Sequence, residues 1–224
     1  MKSEVILPGR SNLLRKNQNQ NLMISLDRDK LKDFFLINGS NFFTDQISTT
    51  DLIVKSNDYY MIVNIGKSSL RVSYNQDISN HITIYNPYKY EHSEKVKFKE
   101  EFFKQNYNVP NGYIDTLPKW YSFKFTYPDY NLIFIRPEMG LSIQKHKYRD
   151  ETWEVLDGNP IILTGNKIYY FVEKGRSFNN RKETYHSIIN PNKNSNKFII
   201  LKERWSGYFD ENDIERVFNP NRYE

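Results

Sequence analysis

The chain has no cysteine and no alanine. Without cysteine there is no disulfide, thiolate metal site or cysteine nucleophile, so any metal must be held by histidine, carboxylate or amide oxygen. The missing alanine, set beside abundant Asn, Lys, Ile and Tyr, reads as the codon bias of an AT-rich genome and says nothing about chemistry. No apolar run reaches the roughly 20 residues that a membrane-crossing helix needs. Residues 1–21 also lack the hydrophobic segment of a secretory signal. A cytoplasmic protein with no membrane partner is therefore the expectation. There is no block of one charge either: the net +5 divides into +2 over residues 1–116 (15 basic, 13 acidic) and +3 over 117–224 (17 basic, 14 acidic). Binding along a phosphate backbone calls for cations gathered on one face, so a nucleic-acid partner is not expected.

What is present favours strands. Tyr and Phe number 17 and 15, and aromatics make up 16% of the chain, an enrichment that suits pleated surfaces and supplies apolar area for a core. A chain of 224 residues is long enough for one large β-rich domain or two ordinary ones.

Residues 1–24 are polar, with Asn-Gln-Asn-Gln at 17–20, and read as a flexible arm. Asp27 to Ile37 has an acidic start followed by Leu31, Phe34, Phe35 and Leu36, the pattern of a short amphipathic helix. From Asp51 to Tyr85 short apolar runs alternate with Ser-Asn-Asp, Gly-Lys-Ser and Asn-Gln-Asp punctuation, which predicts an antiparallel meander. Glu94 to Asn106 looks helical, and 108–112 forms a loop that separates a β-rich domain, 25–116, from a second domain, 117–224. That second domain shows eight strand-like runs between Trp120 and Arg204, a number that suits a barrel or jelly roll. The segment 207–216 reads as one helical turn or a covering loop. The strand density of the first half is compatible with a second, degenerate copy of the barrel, and unpaired jelly-roll edges make a homodimer a reasonable expectation.

Two of the four histidines carry the chemical reading. Gln144-x-His146 sets two donors on one face of a strand, because side chains alternate with a period of two. Glu151 follows across a turn and His186 arrives on a later strand. Gln144, His146, Glu151 and His186 together make a mixed N/O set suited to Zn, Mn, Fe, Co or Ni.

The run 141–153, with Gln144, His146, Arg149, Glu151 and Trp153, resembles the first cupin motif of type II mannose-6-phosphate isomerases. The same motif occurs in the terminal domain of mannose-1-phosphate guanylyltransferases. Gly158 stands where that motif closes, the spacing Gly175 to His186 to Asn190-Pro191 resembles the second motif, and Glu203, Ser206-Gly207 and Glu211 to Arg216 resemble the closing segment. The likeness covers about the last 107 residues. It departs from the pattern at Lys147-Tyr148, at Arg181-x-Glu183 and at Trp205, all beside the ligand positions.

The resemblance implies a cupin β-barrel and a divalent metal, zinc or alternatively Mn, Co or Fe, on the four residues named. It also implies an isomerase that interconverts mannose 6-phosphate and fructose 6-phosphate. The motif does not fix the base, for which Glu203, Lys145 and Glu183 are candidates. Arg149, Arg204 and Arg216 are the candidate phosphate ligands, since guanidinium meets phosphate in a bidentate fork. The alternatives are a non-catalytic cupin used for carbohydrate binding or assembly, a cupin isomerase or epimerase acting on nucleotide sugars, and an iron-dependent oxygenase. Nucleotidyl transfer is not expected, because the first 116 residues show no Gly-rich nucleotide turn.

Overall fold

The computed structural model describes residues 2–18, 20–26, 32–45, 47–194, 196–208 and 213–222. Its strands in the first half are β1 (Ser3–Ile6), β2 (Leu14–Lys16), β3 (Leu22–Ser25), β4 (Phe34–Asn38), β5 (Asn41–Phe43), β6 (Ile53–Val54), β7 (Tyr59–Asn64), β8 (Leu70–Tyr74) and β9 (Ile82–Tyr85). Helix α1 (Glu100–Asn106) follows, then β10 (Asp115–Pro118), β11 (Ser122–Thr126), β12 (Asn131–Ile135), β13 (Ile143–His146) and β14 (Arg149–Asp157). The chain continues through β15 (Ile161–Thr164), β16 (Lys167–Tyr169), β17 (Ser177–Asn180), β18 (His186–Ile189), β19 (Ile199–Gly207) and β20 (Ile214–Phe218).

Among the described residues three sheets result, all with antiparallel pairing. One has the order β1-β8-β3-β6, one β10-β11-β12-β19-β14-β17, and the largest β20-β13-β18-β15-β16-β5-β4-β7-β2-β9. The six-stranded sheet faces the β20-β13-β18-β15 end of the largest sheet, and Ile135, Trp153, Val155 and Leu201 from one side meet Ile162 and Ile188 from the other. That pair is the jelly-roll barrel. The β1-β8-β3-β6 sheet packs on the opposite end around Leu22, Phe34, Leu36, Tyr60, Ile62 and Val72. A further core draws Phe35, Ile37, Met61 and Val63 from the first half and Ile143, Ile161, Leu163 and Phe218 from the second. The largest sheet and this core therefore run through both halves.

Three expectations need correction. The segment read as a flexible arm carries β1, β2 and β3, paired to β8, to β7 and β9, and to β6 and β8. Its amides are internal partners: Asn12 Oδ1 accepts from Ile62 N–H at 2.7 Å, and Asn17 Nδ2 donates to the carbonyls of Val54 and Lys55. Polarity there serves buried backbone rather than solvent. The helix expected over 27–37 is, in its described part, strand β4. Phe34 and Leu36 face one core and Phe35 and Ile37 another, and a strand buried on both faces gives a continuous apolar run that periodicity cannot tell from a helix. Residues 27–31 lie outside the described residues. Finally, Ile214 to Arg216, expected in a turn or covering loop, begins strand β20, which pairs with β13.

Helix α1 is shorter than the segment 94–106 suggested and packs onto the second half, with Phe103 wholly buried against Phe123, Phe125 and Phe134. Alternation along β11 and β12 then decides the rest. Phe123, Phe125 and Phe134 face the helix, while Ser122, Lys124 and Ile133 face the barrel interior.

Candidate metal centre

Strand β13 and strand β14 are joined by the turn Lys147-Tyr148, which Asp213 ties down by accepting the backbone N–H of Lys147 at 2.5 Å and of Tyr148 at 3.3 Å. This hairpin delivers His146 and Glu151, and β18, lying beside β13 with His186 opposite Gln144, delivers the second imidazole. His146, Glu151 and His186 are each at most 3% exposed, and one potential ligand atom from each lies within 4.8 Å of the others. His146 Nε2 is 3.0 Å from Glu151 Oε1, and His186 Nε2 is 3.6 Å from Glu151 Oε2. The His186 Nδ1 atom is 3.0 Å from the carbonyl of Thr184. Since a carbonyl only accepts, Nδ1 carries the proton and Nε2 keeps its lone pair turned toward Glu151, which is how a metal-binding histidine is oriented.

These residues fit a divalent cation. His146 Nδ1 and His186 Nε2 are buried with no hydrogen-bond partner among the described residues, and two imidazoles with one carboxylate form a donor set for Zn, Mn, Co or Fe. Gln144 shares the His146 face of β13 and accepts a hydrogen bond from Ser142 Oγ at 2.7 Å. The electrostatics agree. Burial alone would push the Glu151 carboxyl up, but the hydrogen bond from His146 and the neighbouring charges of His186, His146 and Arg149 hold it below the usual carboxylate range. Burial drives His186 down to about 4, against the opposing pull of Glu151, so its imidazole is neutral at physiological pH.

Around this cluster the sequence-derived candidates separate. Arg149 is 4% exposed and committed, with Nε donating to Glu151 Oε1 at 3.0 Å and Nη1 to Asp213 Oδ2 at 3.2 Å. It holds the Glu151 carboxylate in place and has little left for a phosphate. Glu203 opens onto the same pocket as Gln144, Glu151, Arg149 and Arg216, a hollow of ≈ 740 Å³ including its mouth. Asn131 Nδ2 donates to Glu203 Oε1 at 2.8 Å, and the Trp153 indole N–H is shared between Glu203 Oε2 and Glu151 Oε2, 3.2 Å from each. Trp153 is thus a core aromatic whose polar tip spaces two carboxylates. Burial, reinforced by the charge of Glu151 and only partly offset by Asn131, raises Glu203 to about 7.

The other candidates lie elsewhere. Lys145 points to the opposite face of β13, where it pairs with Glu183 at 3.1 Å and Glu215 at 3.3 Å, so neither Lys145 nor Glu183 reaches the pocket. Arg204, beside Glu203 on β19, is exposed on the other side of that strand. Arg216 is exposed at the pocket mouth, opposite Gln144 in register. Sequence reasoning missed Lys119, Tyr121 and Lys124, which also line the pocket. The alternation Phe123-Lys124-Phe125 shows only that Lys124 lies on the face opposite the two rings, and it is helix α1 covering the rings that turns that face to the pocket.

The sequence pattern of the family described as mannose-6-phosphate isomerase C-terminal matches residues 99–219, more than half of the chain. No curated protein matches the chain in sequence. Among solved structures, a sugar phosphate isomerase of a cupin superfamily from Silicibacter pomeroyi is 12% identical with a TM-score of 0.34, over 39% of this chain and 60% of its own. The capsular polysaccharide assembling protein CapF of Staphylococcus aureus is 15% identical with a TM-score of 0.36, over 56% of this chain and 34% of its own. A nucleoside dehydratase of Streptomyces is 12% identical with a TM-score of 0.38, over 50% of this chain and 93% of its own. The chain thus spans less than two thirds of the first two of these proteins.

Proposed function

Since the chain belongs to the mannose-6-phosphate isomerase C-terminal family, we propose that it is a metal-dependent sugar-phosphate isomerase that interconverts mannose 6-phosphate and fructose 6-phosphate. The observation that carries this reading is one pocket in which a buried His146–Glu151–His186 cluster adjoins a second carboxylate, Glu203, and several cations.

Aldose–ketose isomerisation moves a proton between C1 and C2 of the open-chain sugar, and so needs a base beside the carbon and polarisation of the oxygens. A divalent ion held by His146, Glu151, His186 and Gln144 would supply that polarisation as a Lewis acid. Glu203 is the base. With its carboxyl raised to about 7 it is populated in both forms at neutral pH, so it can take a proton from one carbon and return it to the next with little driving force in either direction. Asn131 and the shared Trp153 N–H fix its orientation. Lys119, Lys124 and Arg216 provide the positive charge a sugar phosphate requires on the pocket wall and mouth.

The test is to purify the protein without a histidine tag, measure bound metal by elemental mass spectrometry and assay mannose 6-phosphate turnover with added Zn, Mn or Co. A His146→Ala, His186→Ala double variant serves as the control. About one equivalent of metal, lost in the variant together with turnover, is the expected result. Metal binding without turnover on any hexose phosphate would defeat the isomerase reading, and failure to bind metal under every loading condition would defeat the metal centre as well.

A further inference from the structure

A second hollow lies on the other side of the β10–β12 face of the barrel, separated from the metal pocket by the aromatic layer of Phe103, Phe123, Phe125 and Phe134. It is an open groove of ≈ 1390 Å³ including its mouth. Its cations are Lys89, Lys97, Lys99, Arg136 and Lys193, and its acid is Glu138, which Lys89 engages. Four positive charges are left over. Lys97, Lys99 and Lys193 are exposed.

Arg136 is the least ordinary of these groups. Its guanidinium carbon stands 4.5 Å from the Tyr90 ring centroid and 6.0 Å from that of Phe98, and Nη1 donates to the carbonyl of Trp120 at 3.5 Å. It is half-buried and has no carboxylate partner among the described residues. A guanidinium held between rings with its charge unmatched is already positioned for an anion, because little side-chain entropy remains to be lost when one binds. Phe98 is itself stacked on Phe102, centroids 5.9 Å apart and 29° between planes, and Phe102 reaches the surface. The groove therefore offers a flat π surface beside a concentrated positive field.

We propose that this groove binds a nucleoside di- or triphosphate, with the base laid against Phe102 at the exposed end of the Phe98–Phe102 stack and the phosphates met by Arg136, Lys97, Lys99 and Lys193. The charge agrees: such a ligand carries roughly three to four negative charges at neutral pH, about two on the terminal phosphate and one on each inner phosphate. The rings agree as well, since a planar base extends the Phe98–Phe102 stack, whereas a free phosphate makes no use of it. None of these residues reaches the metal pocket, so the site is additional to the proposed isomerase centre.

The experiment is fluorescence anisotropy of N-methylanthraniloyl-ADP with the full chain, followed by competition with ADP and with inorganic pyrophosphate. The expected result is saturable binding that weakens with salt. ADP should compete better than pyrophosphate, and Arg136→Ala should weaken binding about tenfold or more. In case the Arg136 variant does not fold, Lys97→Glu with Lys193→Glu reverses two exposed charges, and the same tenfold weakening is expected with mannose 6-phosphate turnover unchanged. Absence of saturable binding, binding indifferent to the charge reversals, or pyrophosphate competing as well as ADP would each overturn the proposal.

Discussion

At the scale of single residues, the site is organised by which side chains are already committed. Arg149 illustrates this: read as a phosphate ligand, it turns out to bridge Glu151 and Asp213 inside the protein. Removing one partner of a buried ion pair leaves the others uncompensated. Arg149→Ala is expected to cost about 3–5 kcal/mol of stability, read from urea unfolding midpoints. Arg149→Lys should recover little of the loss, because an ammonium cannot reproduce the fork. Glu203 has the complementary position, oriented by Asn131 and Trp153 yet open to the pocket. On the proposed isomerase mechanism, Glu203→Gln keeps the shape and removes the proton carrier. It should lower kcat by about 10²- to 10⁴-fold with the fold intact, and abolish the limb near pH 7 in the pH–rate profile, which steady-state assays across pH would show.

At the scale of elements, two features hold the barrel wall. Gly207 ends β19 at φ +101°, and a Cβ there would sit 2.5 Å from the Tyr148 carbonyl in the β13–β14 hairpin. Gly207→Ala combines that strain with backbone contact and is expected to destabilise by about 1–3 kcal/mol, measured by thermal melting. Helix α1, only seven residues long, owes its stability to packing rather than propensity. Phe103→Ala should cost about 3–5 kcal/mol in the same experiment, because it empties the centre of the cluster that covers the outer face of β11 and β12. Helix α1 and most strands of the second half were legible, since half-buried strands alternate visibly. Strand β4 was not, because burial on both faces erases the alternation that distinguishes a strand from a helix.

At the scale of the whole molecule, the largest sheet and the core around Phe35, Ile37, Met61, Ile143 and Leu163 join the two halves. Stability should depend on pH through groups of opposite sign. His186 falls from 6.5 to about 4 in the folded state, so the unfolded chain binds a proton the native state refuses, and stability falls as pH drops through that window. Glu203 rises from 4.5 to about 7, so the native state keeps a proton the unfolded chain releases, and stability falls as pH rises through that window. Melting curves of the metal-free protein should show Glu203→Gln gaining on the parent between about pH 5 and 7.5. His186→Gln should lose less than the parent on acidification from about pH 6.5.

The sequence by itself determined the β-rich class, most of the barrel strands and the candidate ligands His146, Glu151 and His186, because each follows from local alternation or from spacing within one hairpin and a neighbouring strand. Tertiary structure alone decided the fate of the charged candidates. Lys145, Glu183 and Arg204 fall outside the pocket, while Lys119 and Lys124 fall inside it. Whether a cation faces a substrate or a carboxylate depends on which distant strand is its neighbour. The pairing of β1, β2 and β3 also lay beyond sequence, since it comes from β7, β8 and β9 lying beside them.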